Sequence, residues 1–66
     1  MQIQLNGEAR EVPEGLNVSG LLAYLGLNPA RVAIERNLEI LPRAQWQTTF
    51  VSAGDRFEIV QFVGGG

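Results

Sequence analysis

The opening Met1-Gln2-Ile3-Gln4-Leu5 alternates apolar and polar residues, and Asn6-Gly7 follows at once. Such alternation marks a strand with one face buried. An Asn-Gly pair closes it into a hairpin, because a type I′ turn needs positive φ at both central residues. The return strand is expected over Glu8 to Val12, ended by Pro13, which has no N–H for a ladder, and by the turn residue Gly15. From Val18 the period changes. Val18, Leu21, Leu22 and Leu25 fall at i, i+3, i+4 and i+7, one face of a helix. Asn17 is placed to cap its start, Gly26 to end it, and Pro29 lies just beyond. Gly20 inside the helix costs roughly 1 kcal/mol relative to alanine, so packing of the leucine face has to carry the element.

A third strand is expected over Arg31 to Arg36 and, after a turn at Asn37, a short fourth over Leu38 to Leu41, stopped by Pro42. Arg43 to Trp46 reads as a single helical or 3₁₀ turn, with Trp46 covering one end of the core rather than binding a partner. Phe50 and Val51 read as an irregular apolar anchor. Ala53-Gly54-Asp55 is a turn, and Arg56 to Val63 is the clearest strand in the chain. The order predicts an α+β fold, a mixed sheet of four to five strands on one main helix, with the last strand beside the first and parallel to it. That arrangement is the β-grasp, or ubiquitin-like, fold. Its expected bounds are residues 1–63, followed by a glycine tail over 64–66.

Composition then narrows the chemistry. The chain has 66 residues, and a domain of that size buries only about 60% of the surface its unfolded form exposes. Apolar residues make up 45% and charged residues 18%, which argues against disorder. Seven acids against five arginines give a formal charge of −2, with no basic cluster for nucleic acid. No apolar run approaches the ~20 residues needed to span a membrane, and no leader is expected at Met1, so the expected location is the cytoplasm. There is no histidine, cysteine or lysine. The commonest general base, the commonest nucleophile, the usual transition-metal ligands and Schiff-base chemistry are therefore missing. The chain is expected to be no enzyme, to hold no metal and to bind no cofactor of its own.

What remains is the end of the sequence, where an apolar strand leads into Gly64-Gly65-Gly66 without a polar linker. A tail without side chains can take any backbone conformation and thread a narrow channel. Its carboxylate is an anion at neutral pH and a poor electrophile. It becomes reactive once an ATP-using enzyme turns it into an acyl-adenylate. The bland alternative is a frayed end, since termini are commonly disordered.

The ordered set Val32-Ala33-Ile34-Glu35-Arg36-Asn37, Ile40-Leu41-Pro42-Arg43, Trp46, Gly54-Asp55 and the terminal glycines resembles the ThiS family, the sulfur carriers of thiamine biosynthesis. The resemblance covers essentially the whole chain. It implies that a ThiF-like enzyme uses ATP to adenylate the terminal carboxyl. A sulfur donor protein then supplies sulfur to give a thiocarboxylate, and this delivers sulfur to a ThiG-like thiazole synthase. Carried over, Gly66 bears the reactive carboxyl and Gly65 completes the Gly-Gly pair. Gly64 departs from members with a larger residue before the pair, and Ser19-Gly20 lacks the acid often seen at the helix entry.

For docking, Phe57 and Ile59 share one face of the last strand, while Glu58, Val60 and Phe62 share the other. If the first face packs under the helix, Val60 and Phe62 form an exposed apolar patch beside the tail, together with Glu58 and Gly64. Arg36 and Arg43 are candidates to flank that patch and pair with acids on a partner, though a surface arginine can equally be only solvated. The free chain is expected to be a monomer. Two other readings share the tail: the small subunit of molybdopterin synthase, and a ubiquitin-like modifier joined to other proteins' lysines. A passive binding module with an incidental tail is a third. The acids are expected to be scattered without pairing.

Overall fold

The first hairpin forms as the Asn-Gly pair requires. β1 (Gln2–Leu5) and β2 (Glu8–Glu11) pair antiparallel around Asn6 at φ 50° and Gly7 at φ 83°. The computed structural model describes residues 1–62; Val63, the expected last residue of the final strand, and the tail glycines lie outside the described residues. Val12 falls just past β2 yet stays attached, its N–H donating to Met1 O at 2.9 Å and its side chain buried.

α1 (Val18–Leu25) is capped at both ends by the residues the sequence marks. Asn17 Oδ1 accepts from Gly20 N at 2.7 Å, and Gly26 at φ 74° returns its N–H to Ala23 O. That cap explains the helical glycine. A Cβ at residue 20 would sit 3.1 Å from Asn17 Oδ1 and 3.3 Å from Leu16 Cδ2, crowding the side chain that closes the first turn. Val18, Leu21 and Leu22 are fully buried against the sheet, each worth about 1.5–3 kcal/mol relative to exposure.

The remaining elements are a 3₁₀ turn at Pro29–Arg31, β3 (Val32–Arg36), β4 (Glu39–Ile40), a 3₁₀ turn at Arg43–Gln45 and β5 (Arg56–Gln61). The sheet order is β2-β1-β5-β3-β4, so the last strand lies at its centre, parallel to β1 and antiparallel to β3. This is the expected mixed sheet, with five strands. Ile3, Val32 and Phe57 complete the most deeply buried layer under the helix. Trp46 covers one end of the core, 3% exposed, with Nε1 donating to Leu41 O at 3.0 Å.

Phe50 is a departure. Val51 is buried as expected, but Phe50 is 61% exposed. The segment runs extended, held by Val18 N to Thr49 O and Val51 N to Leu16 O. Neighbours in extended chain point to opposite sides, so only one of the two can reach the core. β4 is also shorter than expected, because Leu38 belongs to the turn rather than the strand.

Asn6 does more than turn the chain. β1 and β5 pair at Gln4 with Arg56 and Leu5 with Phe57; beyond them the Asn6 amide continues the ladder in place of backbone. Its Oδ1 accepts from Ile59 N at 2.8 Å and its Nδ2 donates to Ile59 O at 3.2 Å. Replacing Asn6 with alanine strands both backbone groups of a buried residue. We expect a loss of about 2 kcal/mol in urea denaturation, with Asn6→Asp, which keeps only the acceptor, losing less.

Candidate functional site

β5 leads to the tail, and its two faces differ as the alternation predicts. Phe57 and Ile59 are buried under the helix, while Glu58 and Val60 point outward and Phe62 follows them. Val60 is 59% exposed and Phe62 54%. Phe62 N donates to Arg31 O at 2.8 Å, so the strand's end is tied to the segment before β3. The end of β5 is therefore held on the body of the domain up to the last described residue. Gly64, Gly65 and Gly66 lie outside the described residues.

The two arginines proposed as flanking groups are engaged within the chain. Arg36 pairs with Phe57 and Glu39 in the ladders, which puts it on the core face of β3, opposite Val60. Its Nε and one terminal nitrogen both reach Asp55 Oδ2 at 3.1 Å. Arg43 lies nearer the tail end of the sheet. It donates to Pro29 O and to Val32 O and sits 4.4 Å over the Trp46 ring. Both guanidinium groups thus hold the chain's own loops together.

The register brings other residues to the outer face. Ala33 pairs with Val60, Glu35 with Glu58, and Ile40 with Glu35, so all five share one surface. They line a shallow groove of about 260 Å³. The acids are therefore not all scattered: Glu35 and Glu58 stand directly opposite each other. They lie on an open sheet face rather than in a closed cleft, which suits contact rather than catalysis. Ile40, 80% exposed, was not legible from the sequence, because its place depends on a two-residue turn whose register alternation alone does not give. Among the described residues no three His, Cys, Asp or Glu side chains converge as a metal site would need, and no helix is long and apolar enough to cross a membrane.

The ThiS family model matches residues 3–66. The chain belongs to the ThiS family. A thiamine biosynthesis protein (ThiS) from Geobacter metallireducens has the same fold, with a TM-score of 0.86, 38% identity and full coverage of both chains. The sulfur carrier protein ThiS of Escherichia coli K12 is 36% identical over the whole of both chains. A thiazole synthase of Paramagnetospirillum magneticum is 44% identical over all 66 residues, which make up only 20% of that protein. The chain likewise spans a fifth of a thiazole synthase from Magnetococcus marinus.

Proposed function

We propose that this chain is a sulfur carrier of thiamine biosynthesis and that the Gly66 carboxylate is its working group. The observation that carries the reading is the extent of the likeness. The family match runs through residue 66, and the similarity to the E. coli sulfur carrier protein spans both chains from end to end. The chain's own composition supports it, since without histidine, cysteine or lysine no side chain offers comparable chemistry.

The sequence of steps is the one that the likeness to the sulfur carriers implies. On a ThiF-like enzyme, a Gly66 carboxylate oxygen attacks the α-phosphate of ATP and pyrophosphate leaves, giving the acyl-adenylate. A sulfide-level nucleophile from a donor protein adds to the carbonyl carbon, AMP departs, and the thiocarboxylate remains. That group then passes its sulfur to a ThiG-like thiazole synthase. The names of the relatives favour the thiamine route over the molybdopterin alternative. Two relatives named thiazole synthase contain a stretch like this whole chain, which supports a synthase as its partner. ATP is a substrate of the partner, and the carrier itself needs no bound cofactor.

The test is the intact mass of the chain after incubation with the adenylating enzyme of the same genome, ATP and a sulfur donor. One oxygen replaced by sulfur is the expected result. An unchanged mass with an enzyme shown to be active would sink the carrier reading, and a ladder of conjugates to other proteins would replace it with the modifier reading.

A further inference from the structure

All five basic side chains are arginines, and the chain has no lysine, cysteine or histidine. A lysine amine takes up an activated acyl group, whereas a guanidinium does not. The hydroxyls of serine, threonine and tyrosine are weak nucleophiles without a base beside them, and histidine, the commonest base, is missing. One primary amine is left, at Met1, and the fold occupies it. The ammonium donates to Val12 O at 2.8 Å and lies 3.5 Å from a Glu11 carboxylate oxygen. Val12 N returns a bond to Met1 O at 2.9 Å, and the Met1 side chain, packed on the core, is 11% exposed. The amine also stands at the far pole of the sheet from the exit of the strand that carries the tail. β1 and β5 run parallel with Gln4 beside Arg56. Met1 lies three residues before that pair and Phe62 six beyond it. A rise of about 3.3 Å per residue then sets them roughly 30 Å apart, in a body whose longest extent is 36 Å. Residues 63–66 span at most about 14 Å in any conformation.

We infer that the carrier is built so that no amine of its own can capture its activated terminus, and that the clamp of Met1 by Val12 and Glu11 withholds the last of them. The inference rests on the function proposed above. In the step it excludes, an amine nitrogen attacks the Gly66 carbonyl carbon of the acyl-adenylate. The new C–N bond replaces the C–O bond to AMP, AMP leaves with that electron pair, and the amine's proton passes to water. The product is an amide, inert toward sulfur transfer, and the carrier is lost. Within one chain distance forbids the step, because the tail covers less than half of the gap to Met1. Between two chains distance is no barrier, and there the clamp acts. The amine must leave Val12 O and Glu11 before its lone pair is free to attack. The activated group is thereby kept for a sulfur nucleophile.

The test uses the full chain with the ThiF-like enzyme and ATP, without a sulfur donor, and reads intact mass. Hydroxylamine, a small amine that reaches any exposed acyl-adenylate, is expected to convert the wild-type chain to its hydroxamate. Without hydroxylamine the wild type is expected to give neither a cyclised chain nor a covalent dimer. Arg31→Lys puts an amine at the strand's exit, since Arg31 is exposed and its O accepts from Phe62 N at 2.8 Å. An amine tethered within the tail's reach acts at about millimolar concentration. This variant should therefore form a cyclised chain, lighter by one water, at least about tenfold faster than the wild type. A Gly-Ser-Gly extension before Met1 moves the amine off its clamp and should yield covalent dimers instead, joined from Gly66 of one copy to the new N-terminus of another. Cyclised or dimeric wild type overturns the inference. So do two variants as inert as the wild type while hydroxylamine still captures it, because the carrier's own amines then make no difference. Pyrophosphate release without any hydroxamate overturns it as well, placing the protection in the enzyme. If neither pyrophosphate nor hydroxamate forms, the proposed function falls and takes the inference with it.

Discussion

Asp55→Ala is expected to lower the stability of the domain by about 3 kcal/mol, the cost of leaving a largely buried ion pair without one partner. The carboxylate is 7% exposed and accepts from three parts of the chain. Oδ2 takes Arg36 Nε at 3.1 Å and Ser52 N at 2.8 Å, while Oδ1 takes Asn37 Nδ2 at 3.2 Å. Asn37 in turn accepts from Arg56 N at 2.9 Å and donates its own N–H to Arg56 O at 2.7 Å. One side chain therefore fixes the turn before β5, the end of β3 and the β3–β4 hairpin. Global stabilities of roughly 0.05–0.15 kcal/mol per residue give a chain this short only a few kcal/mol in all, so the loss is a large share of it. Thermal unfolding should show a drop in Tm of more than about 10 °C, since each kcal/mol moves a domain of this size by about 4–8 °C. Arg36→Ala should cost less, because Arg36 is the more solvated partner and Asp55 keeps its bonds to Ser52 and Asn37. A double-mutant cycle between the two would measure the pair itself. A drop of under 1 kcal/mol for Asp55→Ala would mean that water replaces the network.

That network marks the boundary of what the sequence makes legible. Local signals are strong where one rule dominates. Asn6-Gly7 forces a hairpin, Asn17 and Gly26 bracket a helix with a leucine face, and the alternation of β5 separates Phe57 and Ile59 from Glu58 and Val60. The parallel pairing of the first and last strands follows from the order of elements. Arg36 shows the limit. Its charge and its place at a strand end read as surface, and only the register with Phe57 and Glu39 turns it to the core face, where Asp55 is waiting. Leu38 and Ile40 show it again. In the sequence both read as residues of one short strand, and a positive φ at Leu38 is invisible until the turn is built. The pairing of Glu35 with Glu58 joins residues far apart in the chain, so no local pattern could have announced it.

The position of the terminal carboxyl, rather than the presence of glycines, is expected to decide activity. Removing Gly66 leaves a chain that still ends in Gly-Gly, because Gly64 and Gly65 remain. The carboxylate is then drawn back by one residue, at most about 3.3–3.6 Å of reach. In-line attack on the α-phosphate needs the reacting atoms about 3–3.5 Å apart, and a misplacement of 1 Å can cost about a hundredfold. With the domain docked through its folded face, the shortened tail falls short. Thiocarboxylate formation by intact mass should drop at least about a hundredfold in kcat/KM while Tm stays unchanged. Appending one glycine after Gly66 should be less damaging, since glycine accepts almost any backbone conformation and an over-long chain can fold back to place its end, whereas a chain that is too short cannot reach. Gly65→Val tests the other requirement, a thin chain: it keeps the length and adds a β-branched side chain beside the reacting group, so kcat should fall with the reach intact. If the chain lacking Gly66 were converted as fast as the complete one, the folded face would not be setting the reach, and the carboxylate would be arriving at the enzyme without the domain holding it.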